Sequence, residues 1–370
     1  MPRLPTRLIL QAYQHDALLP LLLRECRTLN SAKNELRWLR EHTLRVVEAA
    51  IFTRLQGRAS VARFGRSLLR AMCVARSKGM PLQYILGDQP FGDLDIKCRT
   101  GVLIPRHDTE AITHHAAGLI IDKMAKDHDG RRGNEMPLRI LDLCTGTGCI
   151  PLLLHCLLSP HFPKLSIIGI DISSVAVELA RENNERNVRL GLLSERALSE
   201  VSFRQGNVLE YARGTPMLNN VLQDWSVTAS SLSGPGCDVI ISNPPYISPS
   251  DYRSGMTSRS VRIFEPKLAL VPPECLPELL SHSEHFRIED VFYHRIAAIT
   301  ARFKARLTVL ECGCRSQAMR VAMLCKTALW KHSETSQATV DVWPVTGVDT
   351  HPYAVLIHMP INRREPHGSN

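Results

Sequence analysis

The segment Asn243-Pro244-Pro245-Tyr246 directly follows residues 237–242, an apolar run typical of a buried strand. Pro244 has no N–H to donate and Pro245 restricts it to an extended conformation, so this loop is stiff and rich in hydrogen-bond acceptors. A carboxamide NH2 bound there can donate to the Asn243 side-chain oxygen and to the Pro244 carbonyl, while the Tyr246 ring packs on its flat face. We therefore predict Asn243, Pro244 and Tyr246 as catalytic residues, and all four residues as substrate-binding.

This arrangement suits the transfer of a methyl group to an amide nitrogen. The lone pair of such a nitrogen is delocalised into its carbonyl, which makes it a poor nucleophile. Two acceptors fix the orientation of the nitrogen and disfavour planarity, so much of the rate is expected to come from positioning. No strong base is needed beforehand, because the nitrogen becomes acidic as it acquires the methyl group and loses its proton late.

A glycine-rich turn, Leu-Asp-Leu-Cys-Thr-Gly-Thr-Gly at residues 141–148, lies between an apolar strand and an apolar helix. Glycines at such a turn let backbone N–H groups approach a ligand at the carboxyl edge of a sheet, although a tight turn without a ligand has the same pattern. The predicted cofactor-binding residues of this turn are Asp142, Thr145, Gly146, Thr147 and Gly148.

The next predicted strand ends in Asp171, 23 residues after Gly148. An acidic residue at this position accepts hydrogen bonds from ribose hydroxyls, which is compatible with both NAD and S-adenosylmethionine. Pro151 stands where a dinucleotide fingerprint requires Gly or Ala, and this counts against NAD. A methyl donor lacks the pyrophosphate that this glycine serves, so S-adenosylmethionine is the predicted cofactor.

Hydrophobic periodicity predicts how these loops are positioned. Apolar residues recur at helical spacing over residues 8–78, which predicts a small helical bundle, and short β-like runs with turn residues then predict a connecting hairpin. From residue 138 strands and helices alternate, which predicts an α/β fold with a parallel sheet, and the last two strands are expected to pair antiparallel at its edge. The expected domains are 1–80 (helical, substrate-docking), 81–107 (hairpin linker), 108–362 (catalytic) and 363–370 (flexible tail), with a linker loop at 127–137 and a surface insertion at 212–236.

Charge is concentrated at the start of the chain. Residues 1–80 contain 15 Lys and Arg against five Asp and Glu, whereas the rest is close to neutral. The excess predicts docking on an acidic surface, or a solvated helical face, or part of an import sequence. Arg3 and Arg7 precede the first acidic residue, Asp16, an order that suits a mitochondrial transit peptide without its usual Ser-rich character.

Metal and membrane functions are not favoured. The eleven cysteines form no CxxC pair, so no metal site is predicted, and two thiols such as Cys312 and Cys314 cannot complete one alone. The longest apolar run near the start, residues 17–23, is interrupted by Pro20 and is far shorter than the roughly 20 residues that span a bilayer. No membrane partner is expected.

The order of motifs resembles the HemK/PrmC family of release-factor glutamine methyltransferases. It matches through PLQYILG (81–87), VLIPRHDTE (102–110), DLCTGTG (142–148), NPPYI (243–247) and EPKLAL (265–270). The resemblance implies a class I S-adenosylmethionine-dependent methyltransferase domain with a seven-stranded Rossmann-like sheet, and methylation of N5 of the glutamine in the GGQ loop of a peptide chain release factor. The helical domain implies an organelle or bacterial factor, and the insertions, the many cysteines and the basic start favour the mitochondrial branch. A matrix location, a monomeric enzyme and no requirement for nucleic acid are expected with it.

The same resemblance implies four further assignments. Asn207 and Asn243 lie at the cofactor, where Asn207 replaces a commonly acidic residue and bonds the adenine amine. Thr109 and Glu110 line the substrate pocket, although a helix cap with an exposed acid explains them nearly as well. His107 replaces a proline, which is expected to change a turn and not the chemistry.

Two other functions fit part of the pattern. NPPY also occurs in enzymes that methylate the exocyclic amine of adenine in nucleic acid, but these need many Lys and Arg around the phosphate backbone, and residues 81–370 are close to neutral. A non-catalytic binding module is the other alternative. The intact glycine turn, Asp171 and NPPY argue against it.

Overall fold

The computed structural model describes residues 3–52, 58–130, 137–210, 215–222, 236–274, 287–332, 338–345 and 353–359. The chain divides into two compact units, Met1–Asp88 with Ser258–Glu265, and Gln89–Thr257 with Pro266–Asn370. The predicted boundaries assign Ser258–Glu265 to the catalytic domain. Most of the predicted surface insertion, 212–236, lies outside the described residues.

The first unit is helical. Its helices begin with α1 (Thr6–His15), α2 (Leu19–Cys26), α3 (Leu29–Phe52), α4 (Arg58–Ser77) and α5 (Leu82–Leu86). Helices α1 to α4 bury apolar positions such as Leu22, Leu39 and Met72 in a common core, as the helical spacing predicts. The half-buried guanidinium of Arg76 on α4 donates to Glu35 on α3 at 2.8 and 2.9 Å, so this charge pair cross-links the bundle.

The linker differs from its prediction at one point. A hairpin is present, formed by β1 (Asp88–Phe91) and β2 (Leu94–Lys97), but Leu82–Leu86 forms helix α5 instead of a β-like run. Pro81 precedes this single turn of helix, and Gly87 ends it with a φ of 84°. Proline and glycine flank a short helix as readily as a turn, so the β-like interpretation of this segment was wrong.

The second unit contains a seven-stranded sheet in the order β5-β4-β3-β6-β7-β9-β8. Strands β3 to β7 are parallel, whereas β9 pairs antiparallel with both β7 and the edge strand β8, which confirms the predicted antiparallel ending. The opposite edge, β5, was not individually predicted. The strands are β3 (Leu138–Leu143), β4 (Leu165–Asp171), β5 (Val201–Gln205), β6 (Val239–Ser242), β7 (Leu307–Cys312), β8 (Thr339–Pro344) and β9 (Tyr353–His358).

Helices cover both faces of the sheet and bury an apolar layer on each side. The first of them, α6, continues to Gly130, so residues 127–130 of the predicted linker loop are helical. No described helix is both long and apolar enough to cross a membrane. The remaining helices are α6 (His107–Gly130), α7 (Cys149–Leu158), α8 (Ser174–Arg189), α9 (Ala197–Glu200), α10 (Leu218–Val221), α11 (Pro249–Ser254), α12 (Arg259–Phe264, in the first unit), α13 (Val291–Phe303) and α14 (Arg315–His332).

Candidate active site

The candidate site lies at the carboxyl ends of the parallel strands. The chain runs from β3 outward to β4 and β5, and then returns to β6 on the other side of β3. This reversal opens a crevice between β3 and β6, where open α/β sheets bind their ligands. The glycine turn follows β3, Asp171 ends β4, and the NPPY loop follows β6.

The glycine turn adopts left-handed backbone conformations at three positions. Gly146 has a φ of 55° and Gly148 a φ of 78°. A Cβ at Gly148 would lie 2.9 Å from the Ala180 Cβ and from the Phe203 ring, whereas a Cβ at Gly146 would meet nothing within 4 Å. Gly148 is therefore required for packing of the turn against α8 and β5, and Gly146 leaves open space on the ligand side.

The third left-handed residue is Cys144, with a φ of 65°. This conformation costs an ordinary side chain about 1–2 kcal/mol, and such strain is typical of functional sites. Sequence reasoning did not identify this residue. The indication in the sequence is that Cys144 lies two residues before Gly146, in the same turn as the two glycines with left-handed conformations.

Asp171 ties the glycine turn to the end of β4. Its Oδ2 accepts the Gly146 N–H at 2.9 Å and its Oδ1 accepts the Ser173 N–H at 2.9 Å. Burial raises the pKa of this carboxyl above its usual value. Each carboxylate oxygen retains lone pairs that can accept ligand hydroxyls.

An open cavity lies over these loops, and the structure brings most predicted residues to it. Those lining the cavity are Thr109, Thr145, Gly146, Thr147, Asp171, Asn207, Asn243 and Pro245. Five other predicted residues do not line it, namely Asp142, Gly148, Pro244, Tyr246 and Glu110. Sequence reasoning missed several apolar lining residues, including Val102, Ile104, Leu268 and Phe292.

The buried Asn207 NH2, beside the cavity, has no hydrogen-bond partner among the described residues. The Asp142 carboxyl and the Thr145 hydroxyl interact with each other within the glycine turn. Asp142 is fully buried, and burial raises its pKa well above the usual value. The Asn207 Oδ1 accepts the Leu209 N–H at 3.0 Å, so the atom that Asn207 offers is a donor.

The NPPY loop is supported by two residues from distant parts of the chain. The Asn243 Nδ2 donates to the Thr109 Oγ1 at 3.0 Å, and the Thr109 hydroxyl donates to the Glu311 Oε2 at 2.8 Å. Glu311 is 1% exposed and stands near the end of β7. Burial raises the pKa of Glu311 to about 7. Sequence reasoning missed Glu311, for which the signal is a carboxyl inside a mostly apolar strand.

The position of Tyr246 is fixed by its neighbours. A Cβ at Gly313 would lie 2.9 Å from the Tyr246 ring, and the Gln317 amide donates to the Tyr246 carbonyl at 3.2 Å. The Tyr246 hydroxyl lies 3.4 Å from the Glu311 Oε1, and burial raises the pKa of Tyr246 far above its usual value. Tyr246 is therefore a neutral donor at physiological pH.

Glu110 is the remaining predicted residue outside the cavity lining. Glu110 lies in the first turn of α6, where an acidic side chain interacts favourably with the helix dipole. Among the described residues no group of three or more His, Cys, Asp or Glu side chains is placed to hold a metal ion.

The amino-acid sequence is similar to the sequences of known methyltransferases. No protein-family model matches the chain. The mitochondrial MRF1 N(5)-glutamine methyltransferase MTQ1 of Saccharomyces cerevisiae is 35% identical over 283 residues, which are 76% of this chain and 72% of the yeast protein. The chain belongs to the release factor glutamine methyltransferase family. The resemblance to HemK/PrmC enzymes is thereby confirmed.

A bacterial member of the family, the release factor glutamine methyltransferase of Haemophilus influenzae, is 35% identical over 211 residues. The matched region is 56% of this chain and 58% of the bacterial protein. Among solved structures, the hMettl16 catalytic domain in complex with MAT2A 3'UTR hairpin 6 is 16% identical, with a TM-score of 0.46, and the match covers 80% of this chain and 84% of that one. A similarity this distant carries no conclusion about function.

S-adenosylmethionine is the methyl donor of this methyltransferase, and the cavity residues fit it. The unpartnered Asn207 NH2 matches an acceptor atom of a nucleoside, and this donor suits a ring nitrogen better than the adenine amine expected from the sequence. Asp171 offers acceptors for ribose hydroxyls. Gly146 leaves room for the close approach of a ligand.

Proposed function

We propose that this chain transfers a methyl group from S-adenosylmethionine to the side-chain N5 of the glutamine in the GGQ loop of a peptide chain release factor. One observation carries the proposal. The Asn243 NH2 is bound by Thr109, and no described residue donates to the Asn243 Oδ1. The NPPY loop together with Thr109 and Glu311, which we call the NPPY corner, therefore offers an oriented acceptor beside the cofactor cavity. This suits a substrate that presents an NH2 group.

The chain's own residues supply orientation. S-adenosylmethionine, when bound, supplies an electrophilic methyl group. Asn243 Oδ1 and the Pro244 carbonyl accept the two N–H bonds of the substrate amide and align its nitrogen, which raises the rate through proximity and orientation. Tyr246 supports the flat face of the amide. The amide proton is lost late, to solvent.

The substrate is proposed from the family. The names of the yeast and Haemophilus relatives describe them as methylating glutamine, in MRF1 and in a release factor. For this chain we propose a mitochondrial release factor, a monomeric enzyme in the matrix, and no requirement for nucleic acid. The excess of Lys and Arg in residues 1–80 supports a helical domain that docks on an acidic region of the factor away from its GGQ loop.

The test is a methylation assay. The purified chain is incubated with labelled S-adenosylmethionine and with candidate mitochondrial release factors, each beside its version with Ala in place of the GGQ glutamine. Label is expected on the glutamine-containing factor alone. Label on adenine-containing DNA or RNA instead would support the nucleic-acid alternative, and failure to bind S-adenosylmethionine in a calorimetric titration would support a non-catalytic module.

A further inference from the structure

The buried carboxyl of Glu311 reaches Asn243 only through another side chain, while its second oxygen lies 3.4 Å from the Tyr246 hydroxyl. It accepts the Thr109 hydroxyl at 2.8 Å, and Thr109 in turn accepts the Asn243 NH2 at 3.0 Å. Thr109 is 3% exposed and Glu311 is 1% exposed, so water does not readily replace either bond. Three side chains separated widely in sequence thus form one chain of hydrogen bonds.

The donor and acceptor of each of these hydrogen bonds follow from counting the available protons. An ionised carboxylate has none to donate, so the single hydroxyl proton of Thr109 points to Glu311. The Thr109 oxygen can then only accept, and the group of Asn243 that faces it must be the NH2. Because a carboxamide has its oxygen on the other branch, Asn243 is fixed with its Oδ1 directed away from Thr109.

We propose that Glu311 is a positioning residue that acts through Thr109 to set the orientation of the Asn243 carboxamide, so that Asn243 presents an acceptor to the substrate amide. The inference rests on the proposed function, because it assumes a substrate that donates N–H bonds. Glu311 itself touches neither substrate nor cofactor in this role. The alternative orientation of Asn243 would place an NH2 against the substrate NH2, and two donors cannot bond each other.

The protonation state of Glu311 makes the orientation sensitive to pH. Burial raises its pKa to about 7, with Asp108 raising and Thr109, Tyr246 and Arg106 lowering it. Once protonated, Glu311 can donate to Thr109, whose hydroxyl is then free to donate to a reversed Asn243. Productive orientation is therefore present above the Glu311 pKa and is lost as the pH falls through it. Other titratable groups that interact with Glu311 are Cys149 on α7, Tyr293 on α13 and Cys312 on its own strand.

The first experiment removes the Thr109 hydroxyl, which is the middle group of the three hydrogen-bonded side chains. Thr109→Val removes the hydroxyl and keeps the shape, and we expect kcat on a release factor substrate to fall about tenfold with little change in the affinity for S-adenosylmethionine. Thr109→Ser restores the hydroxyl and should recover most of the rate. The matched control is Thr113→Val, one turn further along α6, where the fully buried hydroxyl donates to the Thr109 carbonyl at 2.7 Å and does not touch Asn243. A Thr109→Val rate equal to that of the control would overturn the proposal.

The second experiment replaces the titratable carboxyl of Glu311. Glu311→Gln cannot ionise, but its amide oxygen can still accept from Thr109. From pH 8 to pH 6 the kcat of the unmodified enzyme is expected to fall about tenfold, as the ionised fraction of a group with a pKa near 7 does, whereas that of Glu311→Gln should change less than twofold. An identical pH profile for both proteins would contradict the role of Glu311, even if Thr109→Val failed to fold.

A readout independent of turnover separates this inference from the proposed function. The side-chain amide signal of Asn243, identified by its absence in Asn243→Ala, can be followed by NMR over the same pH range. It is expected to titrate in the unmodified protein and to stay constant in Glu311→Gln. If the amide signal titrates but no release factor is methylated, the proposed function fails and the role of Glu311 stands. If the amide signal is constant while the enzyme methylates a release factor, the proposed function stands and the role of Glu311 is contradicted.

Discussion

The two halves of the active site satisfy their buried polar groups in different ways. Beside the cofactor cavity, the buried Asn207 NH2 has no partner among the described residues. At the NPPY corner, Thr109, Asn243, Tyr246 and Glu311 bind one another. The cofactor half is thus completed by its ligand, whereas the amide half is organised before any substrate arrives.

This difference follows from what each half does. A cofactor site can hold unsatisfied groups, each costing about 1–3 kcal/mol, because ligand binding repays the loss with hydrogen bonds. A site that accelerates a reaction by orientation must hold its acceptors in place beforehand, because reorganisation during the reaction would add to the barrier. Substitutions in the two halves should therefore affect different quantities.

The largest expected effect comes from the amide half. Asn243→Ala removes the oriented acceptor, and we expect kcat to fall about a hundredfold or more, equivalent to about 3 kcal/mol of transition-state stabilisation. The dissociation constant of S-adenosylmethionine, measured by calorimetry, should change little. Unchanged turnover in this variant would contradict the role of Asn243, and a comparable loss of cofactor affinity would remove the distinction between the halves.

The sequence predicted the features that depend on short segments. The turn after β3, Asp171 at the end of β4 and the NPPY loop after β6 are each encoded by neighbouring residues at the carboxyl end of a strand. Since such ends meet at one edge of a parallel sheet, the motifs could be placed together without knowing the structure. The alternating strands and helices predicted the sheet for the same reason.

The features that were missed depend on distant or ambiguous residues. Thr109 and Glu311 are 202 positions apart, and neither segment carries a local sign of the bond between them. The helical turn Leu82–Leu86 was missed because proline and glycine punctuate turns and short helices alike. The left-handed conformation of Cys144 is imposed by the surrounding turn against the preference of the residue.

The two glycines of the cofactor half provide a comparison within that half. Both Gly146→Ala and Gly148→Ala place a side chain in a left-handed conformation, but only the second forces a Cβ to within 2.9 Å of Ala180 and Phe203. We expect Gly148→Ala to lower the free energy of unfolding by about 2 kcal/mol more than Gly146→Ala, as measured by urea denaturation. Gly146→Ala should instead weaken cofactor binding, because its methyl group enters the cavity. Equal stabilities would mean that Gly148 is not a packing requirement.

A smaller loss is expected from Asp171→Asn. The amide keeps the shape but loses the charge and one of the two bonds to the Gly146 and Ser173 N–H groups. The affinity for S-adenosylmethionine should fall about tenfold, while kcat at saturating cofactor changes less than about threefold. The matched control is Asp238→Asn, another buried carboxyl that accepts a backbone N–H, from Arg139, at the opposite end of the strands. A loss of kcat without a loss of affinity for S-adenosylmethionine would contradict the assignment of Asp171 to the cofactor half.

The smallest effect concerns the strain at Cys144. Glycine adopts a φ of 65° without penalty, so Cys144→Gly should relieve strain, but it also removes a side chain that packs against the apolar layer and adds entropy to the unfolded chain. These contributions oppose each other, and we expect the free energy of unfolding to change by less than about 1 kcal/mol, with kcat unaltered. A destabilisation of several kcal/mol would show that packing of the thiol outweighs the backbone strain. The glycine turn would then be held by its side chains as firmly as the NPPY corner is, and the contrast between the two halves would be confined to their hydrogen bonds.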